Sequence, residues 1–255
     1  MSDFYIGYLP KAPTALAGFL RRVILGLGLL VTMVALVLVS AQNPFAKSTF
    51  EYGRLRSFEG VVLAQPYPTL WVSRPGKSAQ SDADLQYLLV APGKHGAESL
   101  VAKFDGLQVR LQGQLIYRDS RSMVEVAPGS IELVPDSAVV SEAIRDLGPV
   151  TVSGEIVDSK CYLGVMNPGS GKVHRDCAAR CLSGGVPPIF ITTSGDAPDG
   201  GEQFVLVGPD GSALAPDSLR DFIAEPITLR AELLQRGDLR FLQIDPKTLR
   251  HARSN

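Results

Sequence analysis

The sequence predicts a mainly β protein in which two tandem small barrels follow one N-terminal transmembrane helix. Three observations lead to this prediction: an uncharged apolar run near the N-terminus, short alternating strands broken by Gly and Pro in a chain with 25 glycines and 18 prolines, and an internal repeat in the strand-rich part. The chain has 255 residues, 45% of them hydrophobic, which is enough for two folded units of roughly 100 residues each.

The overall charge excludes some classes of function. The 25 Lys and Arg residues are balanced by 26 Asp and Glu residues, so the formal net charge is -1. Nucleic-acid binding needs a basic surface, and base stacking needs aromatic residues, which make up only 7% of this chain. We therefore expect no nucleic-acid partner.

The uncharged apolar run predicts a transmembrane helix at residues 23–42, because a helix of this length crosses a bilayer core. Arg21 and Arg22 precede the run, so the positive-inside rule places an N-terminal arm, residues 1–22, in the cytoplasm. We therefore expect a single-pass inner-membrane protein with its bulk in the periplasm. A cleaved signal peptide is the alternative, since residues 39–41 have the small-residue spacing of a cleavage site.

An internal repeat divides the exported part into two halves. Residues 104–118 align without a gap with residues 222–236, at a constant offset of 118 residues. Three shorter blocks of apolar residues align in the same order. The pattern predicts two copies of one β unit, at residues 50–135 and 148–248, with chance similarity between apolar strands as the alternative.

Both copies have the same predicted order of elements. A first strand containing glycine is followed by a central strand, a short helical or looped stretch, and two long strands. The helical stretches are predicted at residues 98–104 and 217–224. This order resembles the OB-fold, a five-stranded barrel with a helix between its third and fourth strands. The resemblance implies two OB-like barrels, although the basic and aromatic faces of the nucleic-acid-binding members are missing.

The second copy differs from the first by an insertion at residues 158–188, between its first strand and its central strand. All three cysteines of the chain and one of its three histidines lie there. The insertion contains helix-forming residues at 172–182, which Gly184, Gly185 and two following prolines would end. The sequence therefore predicts one short helix within the cysteine-containing segment.

The spacing of these residues predicts a metal site. His174, Cys177 and Cys181 are separated by three and four residues, so they project from the same face of the predicted helix. Cys161 reaches this face from the end of a strand, across a glycine-rich loop. Three thiolates and one imidazole form a complete tetrahedral ligand set for a soft metal ion.

Zinc suits this ligand set best, Cu(I) ranks second, and an iron–sulfur cluster ranks lower because the spacing matches none of the common ferredoxin patterns. Asp158 and Asp176 are the candidate hydrogen-bond acceptors that would orient the imidazole of His174. Two alternatives to a metal stay open. One is a disulfide that joins any two of Cys161, Cys177 and Cys181 and leaves a residual thiol, and the other is three inert buried thiols.

The insertion also contains a recognisable motif. The pattern Asp-x-x-Cys-Tyr at residues 158–162 is followed by His-x-x-Cys-Ala-x-x-Cys-x-x-Gly-Gly at residues 174–185. This pattern resembles a motif of small exported or membrane-anchored bacterial proteins of unassigned function. The match covers residues 150–210, and it implies an exported β-domain with a Cys/His site but no particular substrate.

The sequence contains no convincing catalytic constellation and indicates no small-molecule substrate. We therefore expect a non-enzymatic, membrane-anchored periplasmic accessory protein with a structural metal site, which binds a protein partner in a membrane or periplasmic complex. The alternative is a redox or copper-delivery protein that serves a respiratory oxidoreductase. A thiol-redox protein using Cys177 and Cys181 ranks last, because the usual Cys-x-x-Cys arrangement is absent.

Overall fold

The computed structural model of the protein describes residues 13–41, 48–72, 85–135, 144–193 and 201–251. The chain separates into an N-terminal unit, Met1–Phe45, and a β unit, Ala46–Asn255. Twelve strands belong to the β unit among the described residues, so the prediction of a mainly β protein is confirmed. Most of the predicted cytoplasmic arm, residues 1–12, lies outside the described residues.

The N-terminal unit contains one long helix, α1 (Thr14–Ala41). Its segment Leu16–Ala41 has a mean hydropathy of 2.8, and its large apolar side chains are exposed, that of Leu29 to 73%. Such a surface is unfavourable in water and favourable in a bilayer. The helix is therefore compatible with a membrane anchor or a signal sequence, and it begins earlier than the predicted residue 23.

The first half of the β unit has seven strands: β1 (Ser48–Leu63), β2 (Thr69–Val72), β3 (Leu85–Ala91), β4 (His95–Gly96), β5 (Gln108–Arg118), β6 (Arg121–Val126) and β7 (Glu132–Leu133). Strand β1 pairs with β2, β2 with β3, β3 in parallel with β6, β6 with β5, and β5 again with β1. A short helix, α2 (Glu98–Val101), continues as a 3-10 turn and connects β4 to β5.

The second half has five strands: β8 (Arg145–Asp158), β9 (Pro188–Thr192), β10 (Gln203–Val207), β11 (Ile227–Arg236) and β12 (Leu239–Gln243). They form a closed barrel in the order β10-β12-β11-β8-β9, in which β10 and β12 are parallel. A 3-10 helix, Pro216–Phe222, lies between β10 and β11. It occupies the same place in this half as α2 and its 3-10 turn do in the first.

The two halves have the same order and register of strand pairing. Equivalent pairs are Leu88–Met123 and Val205–Phe241, Ile116–Met123 and Leu234–Phe241, and Gly60–Val109 and Gly154–Ile227. These pairs follow the sequence alignment of the two halves. The alternation of apolar residues in each half therefore directs equivalent side chains to equivalent faces.

Each half has its own buried apolar core, and a third cluster joins them. On β3 and β6, Leu89 and Val124 point into the core of the first half, whereas their neighbours Leu88 and Met123 belong to the joining cluster. That cluster also includes Cys161 and other side chains of the second half. The two halves thus share a buried interface, and the division into separate domains at 50–135 and 148–248 stays a prediction.

The insertion of the second half follows β8 and ends at β9. A π-helical turn, Cys161–Val165, is followed by a 3-10 turn, Lys172–His174, and by helix α3 (Arg175–Ser183). The predicted helix is therefore present, with its first residues in 3-10 form. The backbone N–H of Gly184 donates to the carbonyl groups of Arg180 and Cys181, which ends α3 where the sequence predicts.

Candidate metal centre

The three cysteines lie together although they come from two different elements. Cys161 starts the turn after β8, and its Sγ atom lies 3.9 Å from the Sγ atoms of both Cys177 and Cys181 on α3. The three sulfur atoms lie within 4.8 Å of one another, and all three cysteines are free. A tetrahedral centre with metal–sulfur bonds of about 2.3 Å separates its sulfur atoms by roughly 3.8 Å. The thiols could therefore hold a metal ion with little rearrangement.

The turn that presents Cys161 is fixed by a buried carboxylate. Asp158 Oδ1 accepts a hydrogen bond from the backbone N–H of Cys161 at 2.8 Å, and Asp158 Oδ2 lies 2.9 Å from His174 Nε2. Asp158 and His174 are both buried. The structure thus brings Asp158 to His174, as the sequence suggested, whereas Asp176 is exposed in the first turn of α3.

The four predicted ligands lie in one buried region but in two overlapping groups. Cys161, Cys177 and Cys181 form one group, and Asp158, Cys161 and His174 form the other, each with its donor atoms within 4.8 Å. Cys161 belongs to both groups. Nε2 of His174 contacts Asp158, and among the described residues no single group joins His174 to all three thiols. A carboxylate that orients a ligating imidazole in this way is common in metal sites.

The thiols differ in exposure and in acidity. Cys161 and Cys181 are buried and Cys177 is half-buried. The hydrogen bond between Cys161 and Cys181 is the main cause that raises the pKa of Cys161 and lowers the pKa of Cys181. Burial and the Asp158 carboxylate also raise the pKa of Cys161, while the positive charge of Lys94 helps to lower that of Cys181. Cys181 is therefore a more acidic thiol than Cys161.

Lys94 belongs to the site, although sequence reasoning missed it. Its Nζ atom donates to Cys177 Sγ at 2.8 Å and lies 3.7 Å from Cys181 Sγ. The hydrogen bond to Cys177 is the main cause that raises the pKa of Lys94. Lys94 lies in the turn between β3 and β4 of the first half, 83 residues before Cys177. No local pattern around Lys94 pointed to this contact.

The turn that carries Lys94 is held against the insertion by backbone contacts. The N–H of Gly96 donates to the carbonyl oxygen of Gly184 at 2.9 Å, and a Cβ atom at Gly184 would overlap the carbonyl oxygen of Lys94. From the other side, Lys160 Nζ donates to the carbonyl oxygens of Ala91 at 2.8 Å and Gly93 at 2.6 Å. These contacts therefore fix the backbone position of Lys94 beside the thiols.

A groove of about 870 Å³ lies beside this region, between the two halves. Its walls include Tyr67 and His95 from the first half, Leu182 and Val186 from the insertion, and Leu214 from elsewhere in the second half. The hydroxyl of Tyr67 accepts a hydrogen bond from the N–H of Leu214 at 2.9 Å. The end of the cysteine-bearing helix thus forms part of one groove wall.

Comparison with known proteins finds no matching family model, no similar curated protein and no similar solved structure.

Proposed function

We propose that this chain is a membrane-anchored, extracytoplasmic protein that binds one thiophilic metal ion through Cys161, Cys177 and Cys181. In this proposal His174 is the fourth ligand, and the protein is a non-enzymatic accessory or assembly subunit of a membrane or periplasmic complex. The observation that carries the proposal is the group of three free thiols, in which Cys161 Sγ lies 3.9 Å from each of the other two Sγ atoms and all three lie within 4.8 Å of one another. The exposed apolar surface of α1 supports the anchor.

Zinc is the metal that we propose. Two of the three thiols and the imidazole of His174 are buried, which is typical of a closed structural site. The carboxylate of Asp158 beside His174 matches the support that ligating histidines receive in zinc sites. Bound zinc would cross-link α3 to the end of β8 and so stabilise the insertion where it meets the first half.

The two halves are proposed to be OB-like barrels that arose by duplication. The support is the identical order and register of strand pairing, together with a helical segment at the same place in each half. The insertion at 158–188 would then be the part added to the second copy. It contains the motif that resembles that of exported bacterial proteins. A binding role on the groove side would use surfaces of both copies.

Copper delivery is the second candidate, and one observation favours it. Cys177 is only half-buried, so one ligand of the site is accessible to an incoming thiol. Three thiolates are also a suitable ligand set for Cu(I). An exchangeable copper ion would then pass to a respiratory oxidoreductase.

The test is a metal titration of the full-length apoprotein in detergent, with Co²⁺ as the spectroscopic probe and Zn²⁺ as the competitor. We expect one Co²⁺ per chain, with a sulfur-to-cobalt charge-transfer band that Zn²⁺ abolishes. Replacing Cys161, Cys177 or Cys181 by Ser should weaken binding by roughly 100-fold or more, since each removes a thiolate. Ser183→Ala, an exposed change at the end of α3, is the matched control.

The His174→Ala variant tests whether the ligand set includes the imidazole of His174 or consists of the three thiolates without it. If His174 is the fourth ligand, the variant loses affinity but keeps the thiolate band, because all three sulfur atoms remain. Unchanged affinity would remove His174 from the ligand set. The absence of any thiolate band in the unaltered protein would overturn the proposed metal site.

A further inference from the structure

We infer that Lys94, a residue of the first half, is the charge-compensating residue of the metal centre in the second half. Its ammonium group would strengthen the binding of metal ions whose thiolate complexes are anionic. This inference rests on the proposed metal site and adds the residue that sets its preference among metal ions.

The ammonium group of Lys94 contacts two of the three thiols. The Nζ atom lies 2.8 Å from Cys177 Sγ and 3.7 Å from Cys181 Sγ, so it faces two of the three sulfur ligands. The side chain comes from a turn whose backbone is fixed on both sides, by Gly184 and by Lys160. The backbone that carries Lys94 is thus fixed, and its side chain reaches the sulfur atoms from a defined position.

The proposed metal centre carries a net negative charge. Three thiolates, a neutral imidazole and Zn²⁺ leave one net negative charge, and the same ligands with Cu(I) leave two. The buried carboxylate of Asp158, which accepts from the backbone N–H of Cys161, adds to the negative potential. The buried ammonium group of Lys160, next to Cys161 in the chain, is already paired with Glu125. Lys94 is therefore placed to balance the charge of the thiolates.

The size of the effect follows from the exposure of Lys94. At about 4–5 Å, two opposite charges attract each other strongly inside a protein. Lys94 is exposed, however, so the solvent around it weakens its attraction to the thiolate complex. We expect a loss of roughly tenfold in Zn²⁺ affinity when the charge is removed. For Cu(I) the loss should be larger, because its complex carries one more negative charge.

The test compares Lys94→Met and Lys94→Arg with Lys172→Met in the full-length protein. Lys172 is an exposed lysine of the same insertion, 3.7 Å from Glu225, and is the matched control. Affinities for Zn²⁺ and Cu(I) are measured by chelator competition at low and high salt, and thermal unfolding of the apoproteins checks the fold. A merely structural role would lower apoprotein stability without changing the ratio of the two affinities.

The expected result is a roughly tenfold loss of Zn²⁺ affinity in Lys94→Met, a greater loss for Cu(I), and a weaker dependence on salt. Lys94→Arg should restore most of the affinity, because it restores the charge. Equal affinities in Lys94→Met and Lys172→Met would overturn the inference and leave the metal site intact. If the unaltered protein binds neither metal, both the inference and the proposed function are wrong.

Discussion

The buried ammonium group of Lys160 lies 2.5 Å from the carboxylate of Glu125, and this ion pair joins the two halves of the β unit. Lys160 directly precedes Cys161 in the second half, whereas Glu125 lies on β6 of the first half. The same ammonium group donates to the backbone carbonyls that precede Lys94. The ion pair therefore positions both the thiol segment and the turn that covers it.

Replacing Lys160 by Met should strongly destabilise the protein. The variant leaves the Glu125 carboxylate buried without its partner, which typically costs about 3–5 kcal/mol in the free energy of unfolding. Denaturant unfolding of the full chain in detergent measures this loss. Adding Glu125→Gln should recover part of it, because the unpaired charge is then removed. A loss below about 1 kcal/mol in Lys160→Met would contradict the proposed importance of the pair.

Asp158→Asn should weaken metal binding while the fold is retained. The amide oxygen can still accept from the N–H of Cys161, but the negative charge beside His174 is lost. Loss of such a supporting carboxylate typically lowers metal affinity by about 10–100-fold. Zn²⁺ competition measures the change, with the exposed Asp176→Asn on α3 as control. Equal affinities of the two variants would show that Asp158 does not support a metal ligand.

Gly184→Ala should disturb the contact between the two halves at the metal centre. The added Cβ atom overlaps the carbonyl oxygen of Lys94, which belongs to the backbone and cannot rotate away. Overpacking of this kind destabilises by about 1–3 kcal/mol. The neighbouring exposed change Ser183→Ala should stay within about 0.5 kcal/mol of the unaltered protein. Denaturant unfolding distinguishes them, and the same stability in both would refute the close docking.

The free energy of unfolding should fall at alkaline pH, because the buried side chain of Tyr67 resists ionisation in the folded protein. Burial raises the pKa of Tyr67 to about 12, above the value of about 10 in an unfolded chain. Because the folded pKa is the higher one, this contribution is complete below pH 10 and is lost as the pH rises towards 12. Its upper limit is roughly 2.7 kcal/mol, for a shift of about two pKa units.

Tyr67→Phe isolates this contribution from those of the other tyrosines. The variant leaves the N–H of Leu214 without its acceptor, so we expect it to be less stable by about 1 kcal/mol at pH 8. Between pH 10 and 12, however, its stability should fall less than that of the unaltered protein. Parallel curves for the two proteins over this range would be inconsistent with a buried neutral tyrosine.

Local patterns allowed the elements and the thiol group to be predicted from the sequence. Cys177 and Cys181 lie one turn apart on a short helix, so their spacing alone predicted that they face the same side. The contribution of the first half could not be predicted in this way. Lys94 and Glu125 reach the site through strand pairing and backbone docking between segments far apart in the chain, and a turn lysine has no sequence signature for such a contact.

The most direct measurement of the central claim is elemental analysis of the full-length protein, purified in detergent without a chelator, together with a count of reactive thiols. We expect one bound metal ion per chain and three thiols that react only after chelation or denaturation. Zinc would support a structural site, and copper would support the delivery function. No bound metal and a single reactive thiol would show a disulfide among Cys161, Cys177 and Cys181, and would contradict the metal site.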